Sequence, residues 1–363
     1  MSLVQLTRPD GSPVAINPDE VVHLAPVPTS GPLRGPLTTG TRIVFRNQSH
    51  QDVTELLDVV IAKINAARGQ SLTALASSAA ATRSGGHTMK PLKVLTHPIT
   101  GQKFKMGRRR PVARGPRLSL KNYLMRDMPP PPASIDYTAS VSAFLSQILG
   151  NDTLGDCTAA GAFHTGGLFL GNANAPIPYT VNNVIAFYSA TTGYIVGDES
   201  TDQGGDEQTV LNYWQQTGLL PNQHQIAGWL GVNGADQTEV MTAVWLMENV
   251  YFGVELPDAW INPFPSASGF VWDVAGDPDQ DNGHCFVGVG YNAQGVQIDS
   301  WGMIGTITWA AIAKYASTVG QGELYTVLGA DGIAKASGKA PNGFDWSQLT
   351  ADFDSMGGNV TPA

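Results

Sequence analysis

The sequence predicts an α+β chain: a small β-rich module with one helix, then a large domain whose helical half precedes an antiparallel half. Three observations carry this. The first 67 residues alternate short apolar runs with turn residues and close on a helical pattern. Residues 150–164, GNDTLGDCTAAGAFH, read as a turn running into a tightly packed helix. Residues 284–302, HCFVGVGYNAQGVQIDSWG, read as a buried strand, a turn and a return strand.

In chain order, LVQLTR and PVAI flank the turn PDGS and form a hairpin, and VVHLAPV and TRIVFR supply two more strands. A helix over 49–67 starts at the cap Ser49 and places Val53, Leu56, Leu57, Val60, Ile61 and Ile64 at helical spacing. This module (1–67) resembles the FlbD-like proteins of flagellar operons. The shared features are the run LTR-x-x-G, an Asn-Pro-Asp, a Gly before a second strand and a closing helix. The resemblance implies an interaction module with no catalytic role. Residues 68–92 are Ala/Ser/Gly-rich and read as a flexible linker. Residues 93–134 read as a basic, Pro-rich arm, with a small hairpin around PITG and extended, polyproline-like runs RRRPVARGPR and MPPPPA. The large domain takes 135–335, and 336–363 read as a C-terminal tail.

Charge is unevenly spread. Residues 84–126 hold eleven Lys or Arg and no acid, whereas 127–363 hold three Lys, no Arg and twenty-four acids. The acidic part repels nucleic acid, so the arm is expected on its own acidic domain or on a protein neighbour. Partners are therefore protein or peptide, with assembly into a virion or other large particle through residues 1–134 as one form. No apolar run suits a membrane span and the start lacks a signal-peptide pattern, which points to the cytoplasm. Two cysteines give no disulfide framework. Asp277, Asp279 and Asp281 alternate as in a calcium loop, but Gly283 comes one place late and no Glu closes it. No metal and no cofactor are expected.

The chemistry centres on Cys157, at a helix N-terminus where the macrodipole favours thiolate. On that stretch alone, a nucleophile and a packed, inert thiol both fit. His164 lies about 10.5 Å further along the same helix and reads as a packed residue. His284 leads a strand and is the candidate base, and Asp299 on the return strand is the candidate orienting carboxylate. Cys285 should face away from His284.

Together these residues resemble a papain-like cysteine peptidase. The resemblance rests on Cys157 with Asn151 six places earlier, Gly204-Gly205 before a Trp-bearing helix, His284 leading to Gly290-Tyr291, and DSWG at 299–302. It implies Cys157, His284, Asp299 and Asn151 as catalytic residues, and Gly204, Gly205 and Trp301 as substrate-binding ones. Asp299 departs from the usual Asn, and Thr158 replaces the aromatic residue after the nucleophile. Two functions follow: a hydrolase acting through a thioester, or a structural protein of the same fold, such as a phage virion component.

Overall fold

A computed structural model describes residues 3–27, 37–45, 50–56, 59–60, 63–64, 91–110, 118–317, 320–329, 332–340 and 342–356. The chain divides into two units, Met1–Met89 and Lys90–Ala363.

In the first unit, β1 (Val4–Thr7) and β2 (Pro13–Ile16) form the expected hairpin, pairing Val4 with Ile16. A second sheet joins β3 (Val21–Pro26), β4 (Thr41–Phe45) and β5 (His50–Val53), all antiparallel. The start of the predicted 49–67 helix is thus a strand. Asp52 there takes a bidentate ion pair from Arg42 on β4, at 2.7 and 2.8 Å, and Val53 closes the core. Helical backbone is described at 59–60 and 63–64, where Val60 and Ile64, one turn apart, join Val4, Leu6, Ile16 and Ile43 in that core. Of the linker expected over 68–92, residues 68–90 lie outside the described residues.

The second unit is organised by one eight-stranded sheet. Its order is β11 (Val271–Trp272), β14 (Met303–Thr308), β13 (Gly295–Ser300), β12 (Gly283–Tyr291), β10 (Val250–Glu255), β15 (Glu323–Gly329) and β9 (Ile226–Gly231). The short β8 (Ile135–Asp136) pairs with the end of β12, and only the β11–β14 pair is parallel. Side chains alternate along β12. Cys285, Val287 and Val289 pack with the helices α1 (Ser142–Leu145), α2 (Cys157–Asn172), α3 (Val181–Thr192) and α4 (Glu207–Thr217). Phe286 joins the opposite core, with Ile298 of β13, α5 (Gln237–Met247) and α6 (Trp309–Tyr315). The small residues of α2 let it lie close on the sheet: a Cβ at Gly161 would stand 3.2 Å from Cys285 Sγ.

Two predicted peripheral segments belong to this unit instead. The hairpin around PITG forms, with β6 (Val94–Thr96) against β7 (Lys103–Lys105). The chain beyond it is no free arm, because Met106 and Arg108 are buried. The predicted tail carries the second half of α7 (Gly332–Lys339) and all of α8 (Trp346–Ser355). Leu349 and Phe353 of α8 are buried, the latter against Gly228, and Tyr123 donates to Asp352 at 2.7 Å. Apolar residues at helical spacing decide that outcome. Among the described residues no helix is long and apolar enough to cross a membrane.

Candidate active site

Cys157 is the first residue of α2, so its thiol stands where unpaired helical N–H groups converge. His284 is the second residue of β12, and Asn151 sits in the turn before α2. Trp301 follows β13 with a left-handed backbone, φ 54°. These four, with His164, Cys285, Asp299 and Ser300, line one slit between helix and sheet. Its volume, about 10 Å³, barely holds one water molecule. Cys157 is 2% exposed and His284 1%.

The predicted orienting pair does not form. Asp299 Oδ2 lies 2.9 Å from Nδ1 of His164, whose Nε2 bonds the Gln147 carbonyl at 3.0 Å. Strand register explains this. Val287 faces Asp299 across the β12–β13 ladder, and a shift between Gly288 and Gly290 fixes the offset. Asp299 therefore shares a sheet face with Val287 and Cys285, and Ser300 shares one with His284. Ser300 Oγ is 3.0 Å from His284 Nε2, and the Trp301 indole stacks on the imidazole at 3.9 Å, with 13° between the planes. Sequence reasoning missed Ser300, one step along DSWG from the residue it chose. His284 Nδ1 is buried with no hydrogen-bond partner among the described residues. With Nε2–H donating to Ser300, the Nδ1 lone pair is the one left to take a proton.

Residues 103–110 form a strap beside the slit, bonded to Asn151 of its lining. Main-chain bonds run from Gly107 and Arg108 N–H to the Gly283 carbonyl, at 3.2 and 3.0 Å. Arg109 N–H donates to the Gly205 carbonyl, and Gly205 N–H to the Gly107 carbonyl, both at 2.8 Å. The Asn151 side-chain amide donates to the Lys105 carbonyl and to the Leu154 carbonyl, each at 2.9 Å. Gly204, at φ 74°, allows this approach, since a Cβ there would stand 2.1 Å from the Gly107 oxygen. Three of the strap's five cations meet acids of the same unit. Lys105 pairs with Asp202 at 2.6 Å, Arg108 with Glu323 at 2.7 Å, and Arg110 with Glu255 at 2.8 Å. Residues 105–110 of the arm thus lie against acids of their own unit.

Enclosure sets the protonation states. Burial pushes the Cys157 thiol up, opposed by the Cys285 backbone amide, so it is held as a thiol. Burial pushes His284 down to about 3. Burial likewise raises Asp299, while His164 pulls it back. His284 is depressed relative to about 6.5 in an unfolded chain, so its contribution to stability is complete above that pH. It is lost as pH falls from about 6.5 toward 3. The melting temperature should fall more steeply below pH 6.5 in the wild type than in His284→Gln. Parallel pH profiles for the two proteins would show that the imidazole is not held neutral.

No family model and no curated protein matches the sequence, so the FlbD-like likeness rests on its motifs alone. Among solved structures, xylellain, a cysteine protease from Xylella fastidiosa, aligns with a TM-score of 0.50 at 13% identity. The match covers 66% of this chain and 99% of that one. The fold is papain-like. The digestive procathepsin L 3 of Tenebrio molitor is less similar to this papain-like chain, at TM-score 0.42 and 14% identity over 58% of this chain and 76% of its own. The Carica candamarcensis protease CMS1MS2 gives 0.34 and 14%, over 55% and 99%.

Proposed function

We propose that the chain is a cysteine hydrolase of peptide or amide bonds, held closed by its own strap. The observation that carries this reading is the common slit: Cys157 at a helix N-terminus, His284 with Nδ1 unengaged, and the Asn151 amide already donating to a carbonyl, that of Lys105. With the strap displaced, water enters and the burial that holds both groups neutral is relieved. Cys157 then passes its proton to His284 Nδ1 and attacks the substrate carbonyl. The Cys157 backbone N–H and the Asn151 amide stabilise the oxyanion. The imidazolium returns its proton to the leaving amine, and water activated by His284 cleaves the thioester. Ser300 and Trp301 hold the ring, and the backbones of Gly205 and Gly283 line up an extended substrate.

A second reading, a structural protein that keeps the fold without the reaction, is favoured by one observation: Asp299 is committed to His164. Limited trypsin digestion followed by iodoacetamide separates the two. In the intact chain Cys157 should resist alkylation. After cleavage within residues 103–110, one thiol should react rapidly at neutral pH and map to Cys157. A Cys157 that stays unreactive once the strap is cut away removes the hydrolase reading.

A further inference from the structure

Arg108 is the one strap cation whose side chain is fully enclosed, 1% exposed. Its walls are three carboxylates from three elements: Glu207 at the start of α4, Glu255 at the end of β10 and Glu323 at the start of β15. Arg108 Nη2 donates to Glu323 at 2.7 Å, Nε lies 3.4 Å from Glu207, Nη1 donates to the Gln321 carbonyl at 3.4 Å, and Glu255 stands 3.9 Å away. The pocket is firmly built. Gln208 and Tyr325 both donate to Glu323, and Glu207 lies against Gly253, where a Cβ would come within 2.2 Å. Glu207 Oε1 accepts no hydrogen bond among the described residues, so the acceptors exceed what Arg108 uses. Burial holds Glu207 well above the usual carboxylate range, with the Arg108 charge opposing it and Glu323 adding to it.

The pocket's place gives it a second use. Arg108 enters it because the main chain on either side is fixed to Gly205 and Gly283, beside the slit that holds Cys157 and His284. Any extended peptide bonded to the same two backbones presents a side chain to the same three acids. An open cleft of about 640 Å³, walled by residues 106–110 and by Asp279, Asp281 and Gly283, leads along the strap to this point. We propose that Glu207, Glu255 and Glu323 form an arginine-recognising subsite, filled by Arg108 in the closed chain and by a substrate arginine in the open one. The subsite names the substrate class of the hydrolase reading and rests on it: arginine-bearing peptides. Three acids set around one planar donor suit guanidinium better than ammonium, because the fork reaches several of them at once.

The test is a binding measurement, so it stands whether or not turnover occurs. In a full chain carrying Gly107→Ala to displace the strap and Cys157→Ala to silence chemistry, calorimetry compares acetyl-Met-Gly-Arg-Arg-amide with the same peptide bearing citrulline at its first arginine. Citrulline keeps the shape and removes the charge. The arginine peptide should bind roughly tenfold tighter or more, and Glu323→Gln should erase the difference. Equal binding of the two peptides, or a preference that survives Glu323→Gln, overturns the proposal. If that variant does not fold, the chain with Arg108→Gly serves instead. Ethylguanidinium should raise its melting temperature and the isosteric, neutral ethylurea should not; equal effects of the two overturn the proposal in the same way. Loss of thiol reactivity alongside a retained arginine preference would count against the hydrolase and leave the subsite standing.

Discussion

Gly107→Ala is expected to open the site. A Cβ at position 107 would lie 1.9 Å from the Gly155 carbonyl oxygen and 2.6 Å from its Cα. Both obstacles are backbone in the turn that leads into α2, so no side chain can swing aside. The strap must lift, and its main-chain bonds to Gly205 and Gly283 go with it. Four such bonds at about 1 kcal/mol each shift the closed–open balance by on the order of a thousandfold. Alkylation of Cys157 should quicken by a similar factor, and trypsin should cut among residues 103–110 at concentrations that leave the wild type whole. Gly107 hydrogen-bonds none of the proposed catalytic side chains. Unchanged alkylation together with an unchanged melting temperature would mean that the strap is not what closes the slit.

In that opened background, Cys157→Ala should lower hydrolysis of an arginine-containing peptide amide by at least about a thousandfold. Cys285→Ala should leave most of the rate. The two thiols line the same slit and both are buried, so burial does not distinguish them. Position does. Cys157 occupies the helix terminus, whereas Cys285 points from β12 into the packing between Gly161 and Tyr251. A nucleophile needs the electrostatic help of the first place. Measured rates that fall equally in both variants would identify a packing defect rather than the loss of a nucleophile. A rate that survives Cys157→Ala would refute the thioester route.

Much of this layout is legible in the sequence because it is local. The run of Asn, Asp and Gly before Cys157, followed by five small residues, marks both the turn and the close-packed helix. The NAQG turn fixes the β12–β13 hairpin, and PITG the smaller one. What sequence misses depends on register or on distant pairing. Asp299 and Ser300 are adjacent, and which of them meets His284 is decided by the irregularity at Gly288–Gly290, which no periodicity announces. Arg108 finds Glu207 and Glu323 across 99 and 215 positions. Composition gives the opposite charges of the two segments but not the groove that joins them. The segment at 50–53 is a strand because Asp52 has a cross-strand partner in Arg42, a long-range fact that overrides the helical spacing seen from Val53 onward.

The strap is held at both ends. Upstream it continues from the β6–β7 hairpin, where Lys93 bonds Asn282 at 2.6 Å. Downstream, Ser119 bridges Gly231 and Leu124 bridges Phe344. A ligand tethered on both sides is present at millimolar effective concentration however dilute the protein, so a free peptide competes poorly with it. One backbone cut changes the regime. The severed segment keeps one anchored side, so its effective concentration falls and a free peptide competes better with it, and because the peptide bond does not re-form the change is one-way. Such a chain would answer a single proteolytic event with a lasting change of state, behaving as a fuse rather than a valve.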